Sequence, residues 1–551
     1  MITTRAAFAR RAVSASVALG CLMLVVSCRS TSQTAAEGPL TYYVSPSGND
    51  AAAGTSPATA WRTLGRASSA ILTPGSKLLL QGGKSFDGQL TLGARDAGNG
   101  SDPVTVGSYG SGVATIRAAT GAGLYVYDTA GVDIKNLNLV GRLRPGASGK
   151  GINVYNDLPS GHRLDHIEID NVTVTGFADG IAVGGRNSQS GFGDVDISDS
   201  NVTGNLDVGL VTYGPTFDPQ SPTYANQDVQ VSHVVAAQNH GDPDDKTANT
   251  GNGIVLGSVR DGTISWSTAD DNGGAGGASE GPAGIWTYDS TAIDIEHNLS
   301  YDNKTANQVD GNGFGLDQNT SDSVLQDNLS YGNDGTGYLD YSLENDSAQK
   351  DNIVRYNISS DDARDGYTFY GGITVAGLVQ NAQVYQNTVV MTSTATATPP
   401  LLRIGPSVHG IAVRNNIFTT ESDPLVEVSS DLPASTAILQ GNDYYSVTGV
   451  WQVMWGQTSY TSLSAWRAAT SQEVKDGQPT GLDADPNMVG TVVGLHVTTP
   501  TDTSAFDAFA LKPGSVLIKA GLDIAALGMA SQPADYTGKT ESAEHPNVGA
   551  E

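Results

Sequence analysis

Thiols, cations and helical patterning are what this chain of 551 residues is short of. Its two cysteines, Cys21 and Cys28, both fall near the amino terminus, so the rest of the chain offers no thiolate for a metal, no cysteine nucleophile and no disulfide. Lysine and arginine total 29 against 57 aspartates and glutamates, a formal net charge of −28. A field of that sign repels nucleic acid and uronate-rich polymers from most approaches, so no nucleic-acid partner is expected. Charged residues make up only 16% of the chain, and apolar residues at helical spacing are almost absent. The apolar run from Ala12 to Val26 is too short to span a membrane, and nothing at the C-terminus reads as a membrane barrel or a wall-sorting signal.

Arg5, Arg10 and Arg11 precede that apolar run, which is the order of an export signal. The run closes on Val25-Val26-Ser27-Cys28, which resembles the lipobox of bacterial lipoproteins. The resemblance implies a signal over residues 1–27 and a diacylated Cys28 at the mature N-terminus. The chain would then sit outside the cytoplasm as a cell-surface or outer-membrane lipoprotein, touching the membrane through its lipid only. Loss of the three arginines takes the formal charge from −28 to −31 (−28 − 3). Residues 28–39 are small and polar, a tether.

What the chain has in abundance is glycine, 67 residues, and one of them returns with the same neighbours about every thirty positions. The series runs Gly151-Ile152, Gly180-Ile181, Gly209-Leu210, Gly253-Ile254, Gly284-Ile285, Gly313-Phe314, Gly337-Tyr338 and Gly366-Tyr367. Each interval holds two or three short β-branched runs with period-two alternation, such as Val195-Asp196-Ile197-Ser198. Strands that recur at coil period must pair in parallel, which predicts an all-β chain: a right-handed parallel β-helix with capping segments at both ends. The first coils and their cap fall over residues 40–130, the central coils over 131–445 and the C-terminal capping region over 446–551. The chain reads as a monomer.

A second landmark keeps phase with the first. Asparagines end apolar strands at Asn136, Asn171, Asn201, Asn298, Asn328, Asn357, Asn387, Asn416 and Asn442, with His233 and Trp266 in the two intermediate places. Stacked amides can pass hydrogen bonds from coil to coil, satisfying polar groups that burial would otherwise penalise.

Both ends carry a resemblance. Tyr42-Tyr43-Val44-Ser45-Pro46-Ser47-Gly48-Asn49-Asp50, then Gly54-Thr55-Ser56-Pro57 leading to Trp61-Arg62-Thr63-Leu64, is similar to the opening of many secreted bacterial right-handed β-helix proteins. Asn442-Asp443-Tyr444-Tyr445, Ser464-Ala465-Trp466-Arg467 and Leu511-Lys512-Pro513-Gly514-Ser515 match the same group. That group includes polysaccharide lyases and glycoside hydrolases, so the resemblance implies the fold and a glycan-active role. The Asp-Asp, Gly-His-Gly and Arg-Ile-Lys signature of its polygalacturonases is missing here, and the central coils hold few cations for a pectate-type lyase base.

If the residue after each landmark glycine points inward, the second and fourth after it point out. The fourth-place series is Tyr155, Gly184, Tyr213, Gly257, Tyr288, Asp317, Tyr341 and Tyr370, with Trp286 beside Tyr288. Exposed rings at coil spacing offer flat faces to sugars, making Tyr213, Trp286, Tyr288, Tyr341 and Tyr370 candidate substrate contacts. His240 joins them from the long interval between Gly209 and Gly253. Carboxylates crowd the same region: Glu280, Asp289, Asp310, Asp317, Asp334, Asp340 and Glu344. Glu280, Asp289, Asp310 and Asp317 are the candidate catalytic acids, because one of two like charges held close titrates high enough to donate a proton. Asp310 and Asp334, each three residues before a landmark glycine, would lie roughly 5 Å apart on neighbouring coils, although Gly332-Asn333-Asp334-Gly335 reads more readily as a turn. Asp340 falls at an inward place, through a slipped register or as a buried, hydrogen-bonded acid. Asp242, Asp244 and Asp245 suit a calcium ion, the one cofactor the sequence suggests. The function expected is cleavage of a polysaccharide by carboxylate acid/base catalysis. A uronate lyase or epimerase, and a non-catalytic glycan-binding surface protein, stay open beside it.

Overall fold

In the computed structural model the alternating runs become strands, with the apolar set inside. The structure describes residues 38–550 apart from 308, 344–347, 366–367, 491–494, 531–534, 537, 541 and 543. The export segment with Cys28, and Glu344, Gly366 and Tyr367, lie outside the described residues. From Pro39 onward the chain is one compact unit.

The chain winds as a right-handed parallel β-helix. One face is a sheet of 14 strands, all parallel except the last, Thr458–Tyr460. The other two faces merge into a sheet of 25 strands, because Val132–Val140 and Leu164–Thr175 run across the corner without a break. Inside the first face the inward residues stack in register from Ile152 through Ile181, Leu210, Ile254, Ile285 and Phe314 to Tyr338, Ile373 and Leu402. All are essentially inaccessible, and each side chain of that kind contributes about 1.5–3 kcal/mol on burial.

The glycine period has a steric cause. The landmark glycines lie directly over one another, so a Cβ on Gly180 would come 2.3 Å from the carbonyl oxygen of Gly209, and one on Gly253 2.3 Å from that of Gly284. A Cβ on Gly337 would meet Gly372 O at 2.9 Å. Gly372-Ile373 therefore takes the place expected for Gly366-Tyr367, an interval of 35 residues (372 − 337). The fourth-place partner of Tyr341 is Ala376. Tyr370 is displaced into the connection before strand Ile373–Gly377.

The asparagine series divides in three. Asn298, Asn328, Asn357, Asn387, Asn416 and Asn442 form one buried ladder whose side-chain amides pass Nδ2–H to Oδ1 contacts of 2.9–3.1 Å between successive coils. Each Oδ1 also accepts the backbone N–H of the preceding member, and Asn442 ends the ladder on Glu473 Oε1 at 2.8 Å. Asn136, Asn171, His233 and Trp266 instead take the position one residue earlier, where φ is positive, between 51° and 54°. Ser267 holds the ladder place after Trp266, and Ser200 holds it on the coil of Asn201, which lies one residue later and is exposed. A second buried ladder, Asn205, Asn239, Asn272, Asn303, Asn333 and Asp362, runs up another corner with amide contacts of 2.8–3.2 Å.

Both caps are aromatic. Trp61 is buried beneath the first coil and donates Nε1–H to Ala52 O at 3.0 Å, with its ring where a Cβ on Gly54 would lie. Trp466, on helix Leu463–Thr470, closes the far end against Tyr444 and Trp455. Beyond it the chain returns along the outside of the stack. Phe506, Phe509, Leu517, Tyr536 and Val548 cover Leu299, Leu329, Tyr331, Ile358 and Ile417.

Asn328→Ala leaves the Asn298 amide groups without their acceptor, so it is expected to cost about 3 kcal/mol. The exposed Asn136→Gly, which tolerates the positive φ there, should cost under about 0.5 kcal/mol. Urea denaturation of both variants measures the difference; equal midpoints would remove the ladder as a source of stability.

Candidate active site

The 14-stranded face carries a groove of about 680 Å³. Its floor comes from outward positions on five successive strands: Val211 and Tyr213, Val255, Trp286 and Tyr288, Asp317, then Leu339 and Tyr341. These side chains are neighbours because parallel pairing puts Tyr288 and Asp317 at the same place on adjacent coils, with Tyr341 next. Loops supply the walls: Ala248 and Asn249 from the long insert, Glu280, Val309 and Asp310, and Phe369 and Tyr370. Glu280, Asp310, Asp317, Trp286, Tyr288, Tyr213, Tyr341 and Tyr370, far apart in the chain, thus share one groove.

Asp310 is the most tightly held acid. Its Oδ1 accepts from Tyr370 Oη at 2.6 Å and from Asn312 Nδ2 at 3.0 Å, while Oδ2 accepts the Gly281 N–H at 3.0 Å. Burial raises its pKa, and these three donors pull the other way. Asp317 has a single such bond, from the Gln318 N–H at 2.8 Å. Burial first, then the charges of Asp310 and Glu280, push it up to about 8. Two carboxylates in one groove therefore sit in unequal surroundings: Asp317 keeps its proton at neutral pH, while Asp310, also raised by burial, is met by three donors that favour its charged form. Glu280 is exposed at the rim.

Tyr370 is not an exposed ladder ring. It is buried, and its hydroxyl orients Asp310. Asn252, which sequence reasoning passed over, accepts from Trp286 Nε1 and from the Ala283 N–H through one oxygen, at 3.0 and 3.1 Å. It fixes the Trp286 ring as Asn312 fixes Asp310. Both asparagines directly precede landmark glycines, the one signal that could have exposed them. Farther along the groove stand Lys150, Asp179, Arg186 and Asp207. Lys150 pairs with Asp179; burial lowers it to about 8 and raises Asp207 to about 6.

Four residues singled out in the sequence do not line the groove, two of them, Asp334 in a turn and Asp340 buried, in keeping with their sequence reading. Asp289 has a left-handed backbone and accepts from Asn319 Nδ2 at 2.9 Å, outside the groove lining. His240 lies 3.5 Å from Asp271 and does not line the groove. Asp334 faces Lys304 at 3.4 Å and accepts the Thr305 N–H, so it belongs to a turn and is no partner to Asp310. Asp340 is a buried acid bonded by Gln349 and Asn352, and burial takes it to about 6.

The insert carboxylates cap backbone amides. Asp242 accepts from Gly146 and Asp244, and Asp245 from Thr247 and Ala248. Among the described residues the grouping of three that suits a metal is Asp133, His166 and Glu168, not these. There His166 lies 3.1 Å from Asp133, and Lys135 reaches both acids.

No family model matches the sequence, and no curated protein matches it. Among solved structures, a GH136 lacto-N-biosidase from Eubacterium ramulus is similar at 16% identity and a TM-score of 0.51, over 67% of this chain and 65% of that one. This chain thus spans just under two thirds of that protein's length. An Azotobacter vinelandii mannuronan C-5 epimerase module matches at 15% identity and a TM-score of 0.41, over 64% and 85% of the two chains. A pectate lyase matches at 16% and 0.38, over 93% and 96%. At these identities the likeness is one of fold.

The folded chain favours protonated Asp317, so that contribution is full below the ordinary carboxylate range and is lost as pH rises through about 8. Asp317→Asn is expected to raise Tm over the parent at about pH 9 and to leave it nearly unchanged at about pH 4. Thermal melts at the two pH values check this; the same shift at both would contradict the raised pKa.

Proposed function

We propose that this chain hydrolyses glycosidic bonds of a polysaccharide, with Asp317 as general acid and Asp310 as its ionised partner. The carrying observation is the pair itself: two buried acids, one with three hydrogen-bond donors and one with a single donor, in a groove floored by Trp286, Tyr288 and Tyr213. A sugar ring stacks on the aromatic floor, which places its glycosidic oxygen over the carboxyls. Asp317 passes its proton to the leaving oxygen as the bond breaks, Asp310 stabilises or attacks the positive anomeric carbon, and a water that gives its proton back to Asp317 adds its oxygen to that carbon and frees Asp310. Tyr370, Asn312 and the Gly281 amide each donate to Asp310 and favour the anionic form this needs. The polysaccharide-active enzymes named among the similar structures support the class of substrate.

A reducing-end assay of the chain from residue 29, over a panel of polysaccharides, tests the reading. Activity should fall about a thousandfold in Asp310→Asn and in Asp317→Asn, and in the parent it should be lost as pH rises through about 8. Full activity in both variants would sink the assignment. Glycan binding with no turnover in the parent would leave a non-catalytic binder.

One observation favours a second reading. Lys150, Arg186 and Tyr213 lie together in the groove, and Lys150 is lowered to about 8, which suits a base that eliminates across a uronate. Unsaturated products from a uronate polymer, lost on chelation of calcium, would select it.

Export and lipid anchoring at Cys28 complete the proposal. Cys28→Ser should move the protein from the membrane fraction to the soluble fraction; an unchanged distribution would refute the anchor.

A further inference from the structure

The aromatic ladder does not stop where the groove does. Toward the N-terminal end of the same face, beyond Lys150, stand Tyr155, Tyr127 and Tyr125, all partly exposed and none of them lining the groove. Tyr155 and Tyr127 are direct strand partners with rings 6.2 Å apart and nearly parallel at 21°, and Tyr125 adjoins Tyr127 at 5.5 Å. They occupy the outward register of the catalytic strands: Tyr127, Tyr155, Gly184, Tyr213, Gly257, Tyr288 and Asp317 follow one another coil by coil.

The two glycines in that register explain how the rings lie. A Cβ on Gly184 would come 3.0 Å from ring atoms of Tyr213, and one on Gly257 2.3 Å from ring atoms of Tyr288. Each of these tyrosines is laid across the glycine of the coil before it, so the rings lie down over the strands. From Tyr155 to Asp317 is five coil steps, about 24 Å at the spacing of paired strands. A pyranose adds to a glycan roughly the length that a coil adds to this stack, so the tyrosines sit about five sugar units from the cleaved bond.

We propose that Tyr125, Tyr127 and Tyr155 form a remote sugar-binding platform, so that the enzyme holds a long neutral glycan along the solenoid axis and cuts it internally. The chemistry favours a neutral chain. Asp128 and Asp157 flank the rings, with the Tyr155 hydroxyl 3.4 Å from Asp157 and the Asp157 N–H bonded to Asp128 Oδ1. They accept hydrogen bonds from sugar hydroxyls and repel a uronate. The platform extends the hydrolase reading and rests on it for the internal cut, while the binding of a long chain stands without it.

The test separates the two claims by measuring binding in Asp310→Asn, which turns over about a thousandfold more slowly if the hydrolase reading holds. Calorimetry compares the hexamer with the dimer of β-1,4-linked glucose, mannose, xylose and N-acetylglucosamine. At least one hexamer should bind about tenfold more tightly than its dimer. Tyr127→Ala with Tyr155→Ala should erase that gain and leave dimer binding and Tm unchanged, whereas the Phe pair keeps it. The platform is overturned if no hexamer gains over its dimer, or if the double alanine variant keeps the gain. Turnover at the parent's rate in Asp310→Asn would instead fault the hydrolase assignment and leave the binding comparison intact.

Discussion

Each coil of this protein must pair with the next in a single register, and the close stacking of glycine on glycine enforces it. With a carbonyl oxygen 2.3 Å from where a Cβ on Gly180 would lie, no other residue fits without moving the coil. The two buried amide ladders fasten the other corners, since each asparagine oxygen takes both a side-chain and a backbone N–H from its neighbour. A slip of one residue would turn every outward side chain inward. The groove therefore exists because the register does.

That constraint also explains how chemistry arises on so repetitive a scaffold. Regular winding lines up Tyr213, Tyr288 and Asp317 as a row, while the irregular parts, the insert before Gly253 and the connections carrying Glu280, Asp310 and Tyr370, fold over it. The scaffold supplies position and the loops supply the unequal environments that set two aspartates apart. Asp310 gains three donors from three different segments. Asp317, at the regular strand place, gains one and stays protonated.

Much of this was legible in the residues. Periodic glycines and period-two runs carry the fold, because both report directly on coil length and on which side chains face inward. Asp317 and the floor rings Trp286, Tyr288, Tyr213 and Tyr341 follow from counting along the strands, whereas Glu280 and Asp310 stand out only as carboxylates crowded into the loops beside them. Counting failed where a loop intervened. Gly366 mimicked a landmark glycine, yet Gly372 holds the place, so Tyr370 entered the site as an orienting hydroxyl rather than a sugar-stacking ring.

By itself, then, the chain's order of residues determined the winding and the outward row, since both are local periodicities repeated coil after coil. Only the tertiary structure decided which acids are paired with which donors, why Asp289 and His240 stand apart, and that a second ladder runs through Asn205 and Asn333. Those depend on loops of unequal length meeting across coils, and on the loss of water where they meet. No spacing along the chain encodes the degree of burial that lifts Asp317 to about 8.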